Sequence, residues 1–160
     1  MSGPWAYGVD VSTRRVAIGA TDGSDVRWAS TDIAPNVRGA YRLSLIRAAT
    51  DTLIHSFARP WAEYRPSAIV VEDANIGAAA NKPLIQAVGV VMEVCQSVCR
   101  CPVLELPIGT WKKEVLGFGN AKKPDIERWF FDTAPDGEAN QDEMDALAIS
   151  FAAHNRLDQR

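Results

Sequence analysis

The sequence predicts an α/β fold: a mixed five-stranded sheet, in which an antiparallel meander of three strands is joined by two parallel strands, flanked by helices. Two observations carry this. Three short apolar strands follow one another with only short turns between them, and after them strands alternate with stretches of helical periodicity. The first pattern makes a meander and the second makes parallel crossovers.

Residues 6–12, AYGVDVS, form the first apolar strand, with Asp10 embedded near its end. Residues 14–20, RRVAIGA, and 26–31, VRWAST, give the second and third strands, and Asp22-Gly23 between them is the turn signal of a hairpin. Leu43, Ile46, Leu53, Ile54 and Phe57 recur at helical spacing, which predicts a helix over 39–59. The run 67–73, SAIVVED, is continuously apolar until its two acids, as suits a central strand buried on both faces. The small residues of 74–82 predict a loop. Pro83 opens a long apolar helix over 83–100, and 102–107, PVLELP, is the last strand. A short helix over 108–117 closes at Gly117. Residues 123–131 and 141–157 are two further helices, separated by a polar loop.

The 160 residues fit a single domain spanning 1–160 with one sizeable core. No stretch approaches the roughly 20 apolar residues that span a membrane, so no membrane partner is expected. The opening residues, MSGPWAYGVD, lack a basic region followed by an apolar run. A cytoplasmic location is the expectation that follows. No GxxxxGK[ST] is present, and Gly117-Phe118-Gly119 follows a helix rather than a strand, so no nucleotide cofactor is expected.

Cys95, Cys99 and Cys101 are odd in number and tightly clustered, which argues for core packing over a disulfide framework or a zinc site. The net charge of −3 argues against a nucleic-acid partner until its distribution is considered. Residues 111–128 hold Lys112, Lys113, Lys122, Lys123 and Arg128 against Glu114, Asp125 and Glu127. Trp111 and Phe118 flank this segment and are candidates for stacking on bases, against a plainer role in packing.

Asp10 and Glu72 end two apolar strands, which, if parallel neighbours, bring both acids to one edge of the sheet. An acid within an apolar strand is costly unless something compensates it, and a metal ion is one compensation. Asp142 and Asp145 lie three apart at the start of an apolar helix and share one face of it. Asp142 alone has a simpler explanation, since acids favour the first turn of a helix. Four carboxylates together supply hard oxygen ligands for two Mg²⁺ or Mn²⁺ ions, the arrangement used to hydrolyse a phosphodiester. No Ser-His-Asp or Cys-His set competes, and the two histidines fall in helices.

With these residues in hand, the chain resembles the RuvC family of Holliday-junction resolvases, within the RNase H-like superfamily. The resemblance rests on YGVDVS, IVVED, WKKEVLGFGNAKK and DEMDALAIS, in that order, and covers nearly the whole chain. It implies that Asp10, Glu72, Asp142 and Asp145 are the catalytic acids, with Asp10 bridging two ions per active site. It implies that Lys112 and Lys123 contact DNA phosphates, with Lys113 and Lys122 beside them. It implies a homodimer in which the helix over 83–100 lies at or near the interface, where Gly89 would permit close approach. The family often carries an aromatic wedge shortly after the glutamate; here Asn75 stands in that place, and Ile76 is the apolar residue available. That departure implies a wider range of branched substrates, as in phage-encoded relatives.

The function expected is therefore a structure-selective endodeoxyribonuclease that resolves junctions and other branched DNA by two-metal hydrolysis. The alternatives are an RNase H-type or flap nuclease, or a catalytically inert junction-binding protein.

Overall fold

Alternation along the first strand decides which side of the sheet each residue serves. In the computed structural model, which describes residues 3–58, 65–74 and 81–157, this strand (β1) spans Trp5–Val11. Trp5, Tyr7, Val9 and Val11 project into one apolar core, and Ala6 into a second core on the opposite face. By the two-residue period of a strand, Gly8 and Asp10 share the side of Ala6.

The remaining strands are β2 (Arg15–Thr21), β3 (Val26–Asp32), β4 (Pro66–Glu72) and β5 (Val103–Leu106), and the sheet order is β3-β2-β1-β4-β5. β1 pairs antiparallel with β2, and β2 with β3; β1 pairs parallel with β4, and β4 with β5. This is the predicted meander plus two parallel strands. The register aligns Val9 with Val71, and one step further along both chains stand Asp10 and Glu72. Glu72 shares a face with Val70, which belongs to the same core as Ala6.

The helices are α1 (Gly39–Ala58), α2 (Lys82–Cys99), α3 (Ile108–Leu116), α4 (Lys123–Thr133) and α5 (Gln141–Leu157). α1 and α2 cover the Tyr7 face; α3, α4 and α5 cover the Ala6 face. Cys95 and Cys101 are buried and Cys99 is half-buried, all three as free thiols. Burial pushes the Cys99 thiol up to about 12, the behaviour of a packing residue rather than of a nucleophile. Of the predicted loop over 74–82, residues 75–80 lie outside the described residues, and Asn75 and Ile76 fall among them.

One contact fixes the α5 side. Gly8 and Gly19 are partners across the β1–β2 ladder. A methyl group on Gly8 would stand 2.2 Å from the Ser150 nitrogen, and one on Gly19 would stand 2.3 Å from Leu147 Cα. The helix therefore lies directly on bare backbone at this point, closer than any side chain would permit. Ala146 and Ala153 share this face of α5, and neither has exposed surface.

Candidate active site

Asp10 is the most electrostatically stressed of the acids. Burial raises its carboxyl well above the ordinary value, and Glu72, Asp145 and Asp142, in that order, raise it further by repulsion. A backbone N–H, from Val11, acts in the opposite direction. The four acids predicted from sequence are thus brought within electrostatic reach of one another by β1, β4 and α5.

Each of the other three acids has a side-chain donor of its own. The Trp111 indole N–H donates to Glu72 Oε2 at 2.8 Å. Burial still pushes Glu72 up to about 6 despite that bond, with Asp145 adding repulsion and Lys112 opposing it. Gln141 Nε2 donates to Asp145 Oδ1 at 2.8 Å from one turn earlier on α5. Burial raises Asp145, while Gln141, Lys112 and Lys123 lower it and Asp142 raises it. Arg15 Nη1 reaches Asp142 Oδ2 at 3.3 Å while its Nε holds Asp32 Oδ1 at 2.6 Å. Arg15 and Asp32 are cross-strand partners on β2 and β3, so the sheet register itself presents this guanidinium to the start of α5.

The start of α5 is capped by residues other than the aspartates. Asn140 Oδ1 accepts from the Glu143 backbone N–H at 3.0 Å, and Glu143 Oε2 accepts from the Asn140 backbone N–H at 2.9 Å. This reciprocal pair is a capping box. Glu143 also accepts a 2.7 Å hydrogen bond from Ser30 on β3, which ties the helix start to the sheet. Asp142 is therefore not the cap, although it lies in the first turn of α5 where an acid is favoured; its carboxylate pairs with Arg15.

Among the predicted basic residues, Lys112 and Lys123 are the ones seen to act on the acids. Lys112 is half-buried, donates to the Ala121 carbonyl at 2.9 Å and lies 5.5 Å from the Trp111 ring centre. It lowers both Glu72 and Asp145, and Lys123 lowers Asp145. Lys113, Lys122 and Lys123 are all exposed. Trp111 has no exposed surface, so it cannot stack on a base; Phe118 is 45% exposed and remains accessible. His55 is exposed and bonds to the Asp51 carbonyl one turn away, far from any role with the acids.

Sequence reasoning missed Trp111, Gln141 and Arg15 as partners of the acids. Gln141 was discoverable from its spacing of four before Asp145 on one helix.

The donor set fits hard divalent cations. It offers carboxylate oxygens that repel one another, and a bound cation relieves that repulsion and favours the ionised forms. Among the described residues no three such side chains already stand close enough to close round one ion.

The class of protein defined by this sheet and its helices is the RNase H-like α/β fold. Within it, the structure matches Thermus thermophilus RuvC with a TM-score of 0.73, 20% identity and 96% coverage of both chains. It also matches T. thermophilus RuvC in complex with Holliday junction substrate, with a TM-score of 0.74, 20% identity and coverage of 97% of this chain and 96% of that one. The chain therefore has a RuvC-like fold. No protein-family model and no curated protein matches the sequence. Among the described residues, no helix is long and apolar enough to cross a membrane.

Proposed function

We propose that the protein is a structure-selective endonuclease that cuts branched DNA, Holliday junctions among its substrates, with two divalent ions held by Asp10, Glu72, Asp142 and Asp145. The observation that carries this reading is the mutual repulsion of four acids drawn from β1, β4 and α5. Folding pays for such a cluster only where a cation or a reaction uses it. The RuvC-like fold, known also in a complex with a junction, supports branched DNA as the substrate.

When bound, Mg²⁺ or Mn²⁺ ions supply an activated water and stabilise charge on the leaving oxygen. The chain's own residues do the rest. Trp111, Gln141 and Arg15 each take one oxygen of an acid and leave the other for coordination. Lys112 and Lys123 set positive charge at the Glu72 and Asp145 end of the cluster, where a scissile phosphate needs neutralising. In the same reading two copies act together, each cutting one of two symmetry-related strands. The outer face of α2 suits that role: Ile85 is 41% exposed, and nothing lies within 4 Å of a methyl placed on Gly89.

The test uses labelled four-way junctions, forks, linear duplex and RNA–DNA hybrid, each with Mg²⁺ or Mn²⁺. Paired symmetric nicks in the junction, and cutting of forks, are the expected result. Cutting of hybrid alone would identify an RNase H-type enzyme, and binding without cutting under either metal would identify a junction-binding protein.

A further inference from the structure

Two adjacent arginines in the β1–β2 turn have opposite fates. The Arg15 guanidinium is spent on Asp32 and Asp142. The Arg14 side chain is exposed and forms no ion pair or side-chain hydrogen bond among the described residues. Both line an open groove of about 390 Å³, together with Ser12, Asp32, Ile33, Pro35 and Asp142. That volume lies within the ~300–1,000 Å³ typical of ligand clefts. Asp142 is the wall this groove shares with the acid cluster.

The turn that presents Arg14 is firmly built. Ser12 Oγ accepts from the backbone N–H groups of Arg14 and Arg15 at 3.1 and 2.9 Å. The Arg14 carbonyl accepts from the Ile33 N–H at 2.7 Å, which pins the turn to the end of β3. A guanidinium on a fixed backbone binds an anion at a smaller ordering cost than one on a loose loop. The charges lining the groove balance, Arg14 and Arg15 against Asp32 and Asp142. Both acids are engaged by Arg15 and neither pairs with Arg14, so a cation that offset Asp142 at the cluster would leave the groove positive at Arg14.

Charge is therefore disposed at both ends of the cluster. Lys112 and Lys123 act at the Glu72 and Asp145 end, and the two arginines stand at the Asp142 end. We infer that Arg14 and its groove bind a backbone phosphate of the DNA strand being cut, so that the strand crosses the acids from the lysines to the β1–β2 turn. This rests on the nuclease reading above and adds to it a phosphate site and a strand path.

The test measures binding of a labelled four-way junction with Ca²⁺ in place of Mg²⁺, over about 50 to 200 mM salt. Wild type, Arg14→Ala and Arg14→Lys are compared. Arg14→Ala is expected to reduce the slope of log affinity against log salt by about 0.9, the loss of one phosphate contact, and to weaken binding several-fold at low salt. Arg14→Lys keeps the charge and is expected to recover the slope. Wild-type binding with an unchanged Arg14→Ala, or an Arg14→Lys as impaired as Arg14→Ala, overturns the assignment of Arg14 alone. Failure of the wild type to bind any junction overturns the nuclease reading and this site with it.

Discussion

Trp111 donates its indole N–H to Glu72 across 2.8 Å, from a ring with no exposed surface. A fully buried donor aimed at a strand-end carboxylate fixes both the position and the charge of that acid. Trp111→Phe keeps most of the ring and removes the donor. The expected outcome is a further rise in the Glu72 pKa and a loss of about 1–2 kcal/mol in stability. Metal affinity should fall by about 10- to 100-fold, as when an outer partner of a ligand is removed. Calorimetric Mn²⁺ titration and denaturant unfolding measure the two effects separately.

The acid cluster makes the metal-free protein sensitive to pH in an unusual direction. Glu72 stands near 6 against an ordinary 4.5, and Asp10 and Asp145 are also raised. A carboxyl raised by folding contributes stability that is fully present below its unfolded pKa and is lost as pH rises through its folded one. For these groups, stability falls as pH rises from about 4.5 through 6, by roughly 1–2 kcal/mol from Glu72 alone. Thermal melts in EDTA across this range check the fall. Added Mg²⁺ should raise the melting temperature at pH 7.5 and leave it unchanged at pH 4.5.

Asp145→Asn separates chemistry from folding. The amide oxygen still accepts from Gln141, while one negative charge leaves the cluster. Cutting should drop by on the order of 10²–10³-fold or more. Metal-free stability at pH 7.5 should rise by about 1 kcal/mol, because a repelling partner of Asp10 and Glu72 is gone. A variant that loses both activity and stability would contradict this account of the cluster.

The lysines should divide in the same way as their placement. Lys123→Ala, which removes a charge that acts on Asp145, should lower the salt slope of junction binding by about one, whereas Lys113→Ala should change it little. Filter binding or fluorescence anisotropy over a salt series distinguishes the two.

Much of this was legible in the sequence for definite reasons. Asp10 and Glu72 stood out because each interrupts an apolar strand near its end, and the parallel pairing of β1 with β4 does the rest. Asp142 and Asp145 stood out through their helical spacing. Arg15 did not, since it meets Asp142 across 127 residues, and neither a period nor a motif links the two. Trp111 was visible as an aromatic beside lysines, a pattern that suits base stacking equally well. Its burial follows from how α3 packs beside α5, which one-dimensional spacing does not encode. Asn140 and Glu143 carried a readable cap signal, masked by the two neighbouring aspartates.

The bare seam at Gly8 and Gly19 is a further point of test. Alanine at either position has no room against α5, and a loss of about 3 kcal/mol is expected on denaturant unfolding. A shift of α5 by about 1 Å should cost cutting on the order of 10²-fold even where the variant remains folded.

That seam also bears on when the acid cluster comes together. The sheet brings two of the acids, and the other two arrive only when α5 settles onto the glycines. A chain folded as far as its sheet, or one whose α5 has transiently lifted away, holds only half of the set. On the proposed nuclease reading, activity would be gated by completed assembly, and local detachment of one helix would disarm the site before the protein unfolds.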